Sequence, residues 1–168
     1  EELLAAVDRT AWDGNWYLRA FFDNGEKMGS ADHAECQIDS LPQSFSVLAD
    51  MPDKSRITSA LTAGYERLFD PEHQIIRLFT PAFQDSPQEP GYVKSYPAGV
   101  RENGGQYTHA AVWLAMAFLK TGDYERGYML IRALNPALRY AEEELGQAYQ
   151  LEPYYMAGDI YTNPKAYG

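Results

Sequence analysis

A chain of 168 residues, 45% hydrophobic and 14% aromatic, can bury a full core and is neither disordered, collagen-like nor coiled coil. Its formal net charge of −10 argues against nucleic acid, whose phosphates need a basic face, and no run of roughly 18 apolar residues is present to cross a bilayer. The lone cysteine, Cys36, excludes an intramolecular disulfide and any multi-cysteine zinc site.

Glu1 to Thr10 carries Leu3, Leu4 and Val7 at helical spacing with no capping residue ahead of them. It reads as the tail of a helix cut from something longer, without the basic start or apolar stretch of a signal peptide. Trp16 to Phe22 is an aromatic run with strand character, closed by the turn Asp23-Asn24-Gly25, and Lys27 to Gln37 reads as an ordered loop. Leu41, Phe45 and Leu48 predict a helix from Asp39 to about Asp50, with Pro42 tolerated in its first turn. After the break at Met51-Pro52-Asp53, the stripe Ile57, Ala60, Leu61, Tyr65 and Leu68 predicts a second helix to Phe69. Asp70-Pro71-Glu72 ends it, and Ile75 to Phe79 is a short apolar strand.

Thr80 to Gly105, punctuated by Pro81, Pro87, Pro90 and Pro97, predicts a long structureless loop of a kind that is commonly functional. Helical signal returns at Tyr107 to Thr121 and, beyond Gly122-Asp123, at Tyr124 to Leu134, which Asn135-Pro136 ends. Two helical hairpins in series, with long loops at one end, suggest part of an α/α toroid. The last segment, Gln150 to Gly168, is aromatic and ends in the open.

Three runs carry residues suited to chemistry. The densest is Gly91 to His109, which sets tyrosines, Glu102, Asn103, Gln106 and glycines directly ahead of a helix. Aromatic faces cover the C–H surface of a sugar ring, Glu, Asn and Gln pair with its hydroxyls, and the first-turn N–H groups of the helix favour an anion. The plainer reading is a glycine-rich loop whose Glu102 and His109 satisfy local backbone groups, with His109 a core histidine. Trp12-Asp13-Gly14-Asn15-Trp16-Tyr17-Leu18-Arg19 is the second run, and a turn followed by core aromatics accounts for it equally well. Glu152-Pro153-Tyr154-Tyr155 is the third, against a default of surface loop. His33, Glu35 and Asp39 are irregularly spaced and His73 is isolated, so no metal is expected. Neither a Gly-x-Ser-x-Gly elbow nor a P-loop is present.

Arg101-Glu102-Asn103-Gly104-Gly105-Gln106-Tyr107-Thr108-His109, with Trp113 after it, resembles the signature of the inverting glycoside phosphorylases that include cellobiose and chitobiose phosphorylase. The runs Ala11 to Ala20, Gly29-Ser30, Ile38-Asp39-Ser40 and Leu151-Glu152-Pro153-Tyr154 fall in the expected order. The whole is most similar to the C-terminal phosphorylase-like region of bacterial cyclic β-1,2-glucan synthases. The resemblance implies a mainly α fold, about the second half of an (α/α)6 barrel with a short β-hairpin or small strands. Residues 1–168 would then be a single partial domain of a larger catalytic domain.

The activity implied is phosphorolysis of a β-glucoside, with β-1,2-glucan as the substrate class, giving an α-glycosyl 1-phosphate with inversion. Inorganic phosphate is the co-substrate, and no cofactor is implied. An inverting hydrolase needs an acid and a second carboxylate to activate water. When phosphate attacks instead, one acid suffices and the other face must hold an anion. By this resemblance His109 binds phosphate, while Tyr96 and Glu102 line the acceptor-sugar subsite. The family's general acid, the aspartate of a Trp-Asn-Asp motif, is missing from this sequence, and Asp13 does not match that motif. The acid is expected upstream and a Thr-Gly segment of the anion site downstream, so the chain alone should not turn over. The partners expected are β-glucan, phosphate and the rest of the parent chain, with the soluble piece at the cytoplasmic face of the inner membrane. The alternatives are a non-catalytic module that binds glucan or supports assembly of a glucan synthase, and a helical scaffold with no sugar site.

Overall fold

Side chains that take over the free N–H groups of a first turn set most helix starts in the computed structural model, which describes residues 2–168. The first helix, α1 (Glu2–Thr10), covers the expected element, with Glu1 outside the described residues. Asp39 caps α2 (Ser40–Leu48) by accepting from the Leu41 N–H, and Asp53 caps α3 (Lys54–Leu68) by accepting from those of Ser55 and Arg56. After α4 (Thr108–Thr121), Gly122 turns the chain in the left-handed region at φ 86°, and Asp123 caps α5 (Tyr124–Leu134).

α4 lies between α2 and α5, and α3 packs on α2. Being covered on several sides, α4 is apolar nearly all round, with Ala110, Ala111, Leu114, Ala115, Ala117 and Phe118 buried. The main core gathers Leu114 and Phe118 with Trp16, Tyr17, Ile57, Leu61, Leu68 and Leu130. The expected hairpin pairs are therefore present. The seven helices among the described residues make the chain mainly α, with small antiparallel sheets, consistent with part of an α/α barrel.

The sheets among the described residues are four two-stranded antiparallel ribbons. β1 (Ala20–Phe21) pairs with β2 (Lys27–Met28), and β3 (Ile38–Asp39) with β6 (Phe79–Thr80). β4 (Phe69–Asp70) pairs with β5 (Ile75–Ile76), and β7 (Gln106–Tyr107) with β8 (Asp159–Ile160). The expected strand over Ile75 to Phe79 is thus two strands with different partners, because the chain changes neighbour at Arg77 and Leu78. Strand pairing in the Trp16 to Phe22 run is confined to its last part and to a bridge between Trp12 and Tyr17, since Trp16, Tyr17 and Leu18 all point into the interior.

Two helices have no counterpart in the sequence reading, α6 (Pro136–Tyr140) and α7 (Glu143–Tyr149). Asn135 caps α6, whose first residue is Pro136, a position where proline's missing N–H costs nothing. Arg139 is buried there and satisfied by backbone carbonyls, donating to His73, Gln74 and Ala133 while stacking over Tyr149. No helix among the described residues is long and apolar enough to cross a membrane.

Candidate functional site

The stretch from Thr80 to Gly105 is ordered rather than structureless, and two side chains hold it. Glu35 accepts from three successive backbone N–H groups, those of Gln84 at 3.0 Å, Asp85 at 2.8 Å and Ser86 at 2.9 Å. Burial pushes its carboxyl up, but those three donors and Lys94 outweigh it and hold the group below its ordinary value. Asn103, fully buried, accepts from the Phe83 N–H at 2.8 Å and donates to the carbonyls of Phe83 and Tyr96, both at 2.8 Å. The segment also contains a 3₁₀ turn over Gly91–Ser95 and a tight bridge between Val100 and Asn103. Gly104 sits at φ 82°, where a Cβ would lie 2.7 Å from the Ala82 Cβ, so only glycine fits.

This folded loop walls a cavity of about 380 Å³, within the roughly 300–1,000 Å³ typical of small-molecule sites. Tyr92, Tyr107, Trp113, Phe79 and Phe83 give it ring surfaces, and Glu102, Asp39 and Arg19 give it charge. Glu102 is half-buried, and its Oε2 is enclosed without any hydrogen-bond partner among the described residues. An acceptor in that state costs free energy unless a ligand or water takes it.

The three residues singled out from the sequence occupy different places around this cavity. Glu102 lines it. His109 is exposed in the first turn of α4, its ring centroid 6.3 Å from that of Tyr107 and 5.9 Å from that of Trp113, two rings of the cavity wall. It is not a core histidine. The N-terminus of α4 lacks a side-chain cap, and of its first-turn N–H groups that of Thr108 donates to the Gly158 carbonyl at 3.0 Å. Tyr96 is not part of the wall itself. It follows the 3₁₀ turn, meets Tyr92 edge-on at 6.2 Å, and carries the Arg101 guanidinium 5.7 Å above its ring.

Several expected contributors are engaged elsewhere. Asn103 and Gln106, expected to pair with sugar hydroxyls, are both consumed by the fold: Asn103 as above, Gln106 by accepting from the Ile76 N–H at 2.8 Å. Asp13 takes the Lys27 ammonium at 2.6 Å and the Ala31 N–H at 3.2 Å. Burial raises the Asp13 carboxyl, but bonds from Lys27, Ser30 and Ala31 hold it below its ordinary value. It is a structural ion pair. Tyr154 and Tyr155 are exposed and stack on each other at 5.2 Å, away from the cavity wall.

Two charged residues in the wall, Arg19 at the end of the second candidate run and Asp39, were given no site role from the sequence. Asp39 ends β3 and caps α2, so its carboxylate is locked: Oδ1 accepts from Leu41 at 2.7 Å and Oδ2 lies 3.6 Å from the Arg19 Nε. Burial pushes its carboxyl up to about 6, against the pull of Arg19 and the Leu41 N–H. The available signal was an aspartate set immediately before a helical stripe, which reads as a cap and says nothing of the cavity beside it. Cys36 also faces the cavity, but burial pushes its thiol up, so it is a neutral, inert wall group. No group of three or more His, Cys, Asp or Glu able to hold a metal ion occurs among the described residues.

A cavity that sets ring faces and an unpaired carboxylate near the N-terminal end of α4 has the features of a small-molecule site. Sequence comparison carries this further, because residues 1–168 match the family described as the Glycosyl hydrolase 94 superfamily, catalytic domain, and the chain belongs to that family. It is 45% identical over 161 residues to the cyclic beta-(1,2)-glucan synthase NdvB of Rhizobium meliloti (strain 1021), covering 96% of this chain and 6% of that protein. It is 30% identical over 151 residues to the N,N'-diacetylchitobiose phosphorylase of Vibrio proteolyticus, covering 89% of this chain and 18% of the relative. A 3-O-beta-D-glucopyranosyl-beta-D-glucuronide phosphorylase of Paenibacillus borealis is 31% identical over 136 residues, covering 80% of this chain and 17% of its own length. The chain spans less than a fifth of the length of each of these relatives.

Proposed function

We propose that the chain supplies the acceptor-sugar wall and part of the phosphate site of an inverting phosphorylase domain acting on β-1,2-glucan. What carries this reading is the enclosed, unpartnered Oε2 of Glu102 in a ring-walled cavity. A sugar satisfies both features at once: its hydroxyls donate to the carboxylate while its C–H faces lie against Tyr92, Tyr107 or Trp113. The leaving glucosyl unit rests there, with Tyr96 bracing Tyr92 at the edge.

Phosphate lies at the N-terminal end of α4, where the helix dipole and the His109 ring nitrogens offer donors to an anion. It attacks the anomeric carbon as the glycosidic bond to the leaving sugar breaks, and the product is an α-sugar 1-phosphate. The proton for the leaving oxygen comes from a general acid outside the 168 residues, since Asp13 is committed to Lys27. Glucan selectivity rests on the similarity to the glucan synthase. The working form is the full-length protein, placed at the cytoplasmic face of the inner membrane.

The test is phosphate-dependent release of glucose 1-phosphate from β-1,2-glucan by the full-length protein. His109→Ala is expected to raise the KM for phosphate at least 10-fold, on the order of one charge-assisted hydrogen bond, and Glu102→Gln to raise that for glucan by a similar factor. Release of free glucose without phosphate, or phosphate dependence unchanged in His109→Ala, refutes the assignment.

A further inference from the structure

The cavity holds one cationic group that the reading above leaves unused. Arg19 lines the wall with a side chain that is 42% exposed, and its Nε lies 3.6 Å from Asp39 Oδ2. Neither of its Nη nitrogens has a protein acceptor within hydrogen-bond distance among the described residues. A guanidinium that faces a carboxylate across 3.6 Å, beyond hydrogen-bond distance, keeps its donors for a ligand and is poised to donate outward.

The backbone beneath it is fixed from two directions. The Arg19 N–H donates to the Met28 carbonyl at 2.8 Å. Gly29, at φ 86°, lets the chain pass so close that a Cβ there would lie 2.7 Å from the Arg19 nitrogen. Two residues earlier, Gln43 clamps both backbone groups of Tyr17, accepting from its N–H and donating to its carbonyl, each at 2.9 Å. The same Gln43 amide donates to the Asp39 carbonyl at 2.8 Å. The segment bearing Arg19 and the carboxylate that orients it are therefore tied to one helix, α2. Such a device serves precise placement of the guanidinium.

We propose that Arg19, oriented by Asp39, is a specificity-determining contact for the leaving sugar, and that with Glu102 it selects a neutral sugar over a carboxylated one. This rests on the phosphorylase reading of the cavity. Arg19 contributes donors and Glu102 an acceptor, the complementary pair that a polyol requires. The wall carries two carboxylates, Asp39 and Glu102, against one guanidinium, so a uronate entering it meets an excess of like charge. Asp39 is a positioning residue, acting on the sugar only through Arg19.

The experiment uses the full-length protein and follows phosphorolysis of short β-1,2-glucan. Arg19→Gln is expected to raise the KM for glucan 10-fold or more while the KM for phosphate stays within twofold. Asp39→Asn, which loosens Arg19 without removing it, raises the glucan KM about three- to tenfold with the same phosphate KM. Glucose inhibits the wild type by occupying the leaving-sugar position, and glucuronic acid does so at least 10-fold more weakly. Should Arg19→Gln melt well below the wild type, Arg19→Lys decides, since a single ammonium cannot pair with Asp39 and also reach two hydroxyls. A glucan KM within twofold of wild type in the deciding variant, or equal inhibition by glucose and glucuronic acid, overturns the proposal. A wild type that releases no sugar phosphate from glucan at all overturns the underlying reading instead.

Discussion

Replacing Asp39 by Asn should make the fold more stable at pH 8 and leave it no better at pH 4. Burial raises this carboxyl from 3.8 to about 6, so at neutral pH the folded protein carries a charge it would rather neutralise. A group whose folded value is raised gives its full stabilisation below 3.8 and loses it as pH climbs through about 6. Above that range the ionised side chain costs about 3 kcal/mol, taking 1.36 kcal/mol for each tenfold change in proton affinity, and the attraction of Arg19 is already inside that figure. Asparagine caps a helix as well as aspartate does, so the bond from the Leu41 N–H survives. Its amide nitrogen, however, sets a donor where Oδ2 faced the Arg19 Nε, which costs about 1 kcal/mol.

The net gain is about 2 kcal/mol at pH 8, or roughly 4–8 °C in melting temperature for a cooperative unit of this size. Thermal melts of wild type and Asp39→Asn at intervals from pH 4 to pH 8 measure it directly, and on the acid side, where Asp39 is neutral, the curves should cross and leave the variant below wild type by about 1 kcal/mol or less. A variant that melts lower than wild type at pH 8, or a difference independent of pH, would falsify the assignment of a costly buried carboxylate. If the gain is seen together with a raised glucan KM, the protein has kept a destabilising charge because it orients Arg19, a trade of stability for function.

Other perturbations follow from the same accounting. Asn103→Ala strands buried partners on Phe83 and Tyr96 and should cost about 3 kcal/mol or more, seen as a lower melting temperature and faster proteolysis between residues 83 and 96. Leu114→Ala empties a fully buried site in the middle of α4 and should cost about 2–5 kcal/mol in denaturant unfolding with little change in slope. Glu35 has a folded value depressed below 4.5, so its hold on residues 84–86 is complete above that pH and lost as pH falls through the folded value. Amide exchange at Gln84, Asp85 and Ser86 should lose protection in that acid range, and Glu35→Gln should show reduced protection already at pH 7.

How much of this was legible in the sequence depended on whether the controlling interaction was local. The hairpins α2–α3 and α4–α5 could be read because their apolar stripes, the caps Asp53 and Asp123, and Gly122 all act within a few residues of one another. α6 was missed because Asn135-Pro136 both ends one helix and starts the next, and the same two letters serve either role. The irregular look of Thr80 to Gly105 was true of its backbone and false of its order. The groups that fix it, Glu35 and Asn103, lie 49 and 20 residues from the backbone they hold, and no period or turn rule reaches that far. Arg19 and Asp39 could not be joined into one site for the same reason, since a strand end and a helix cap become parts of one cavity only when Gln43 ties their segments together.

Within the glycine-rich run the sequence offered Glu102, Asn103 and Gln106 as equals, and folding separated them by hydrogen-bond chemistry. An amide both donates and accepts, so Asn103 can close on the N–H and carbonyl of Phe83 at once, and a buried loop needs that service. An ionised carboxylate only accepts, and cannot satisfy a backbone carbonyl at all. The amides were therefore absorbed by the scaffold, while Glu102 retained an oxygen with nothing to accept from. That remainder, rather than the density of polar letters around it, is what distinguishes a binding group from a structural one here.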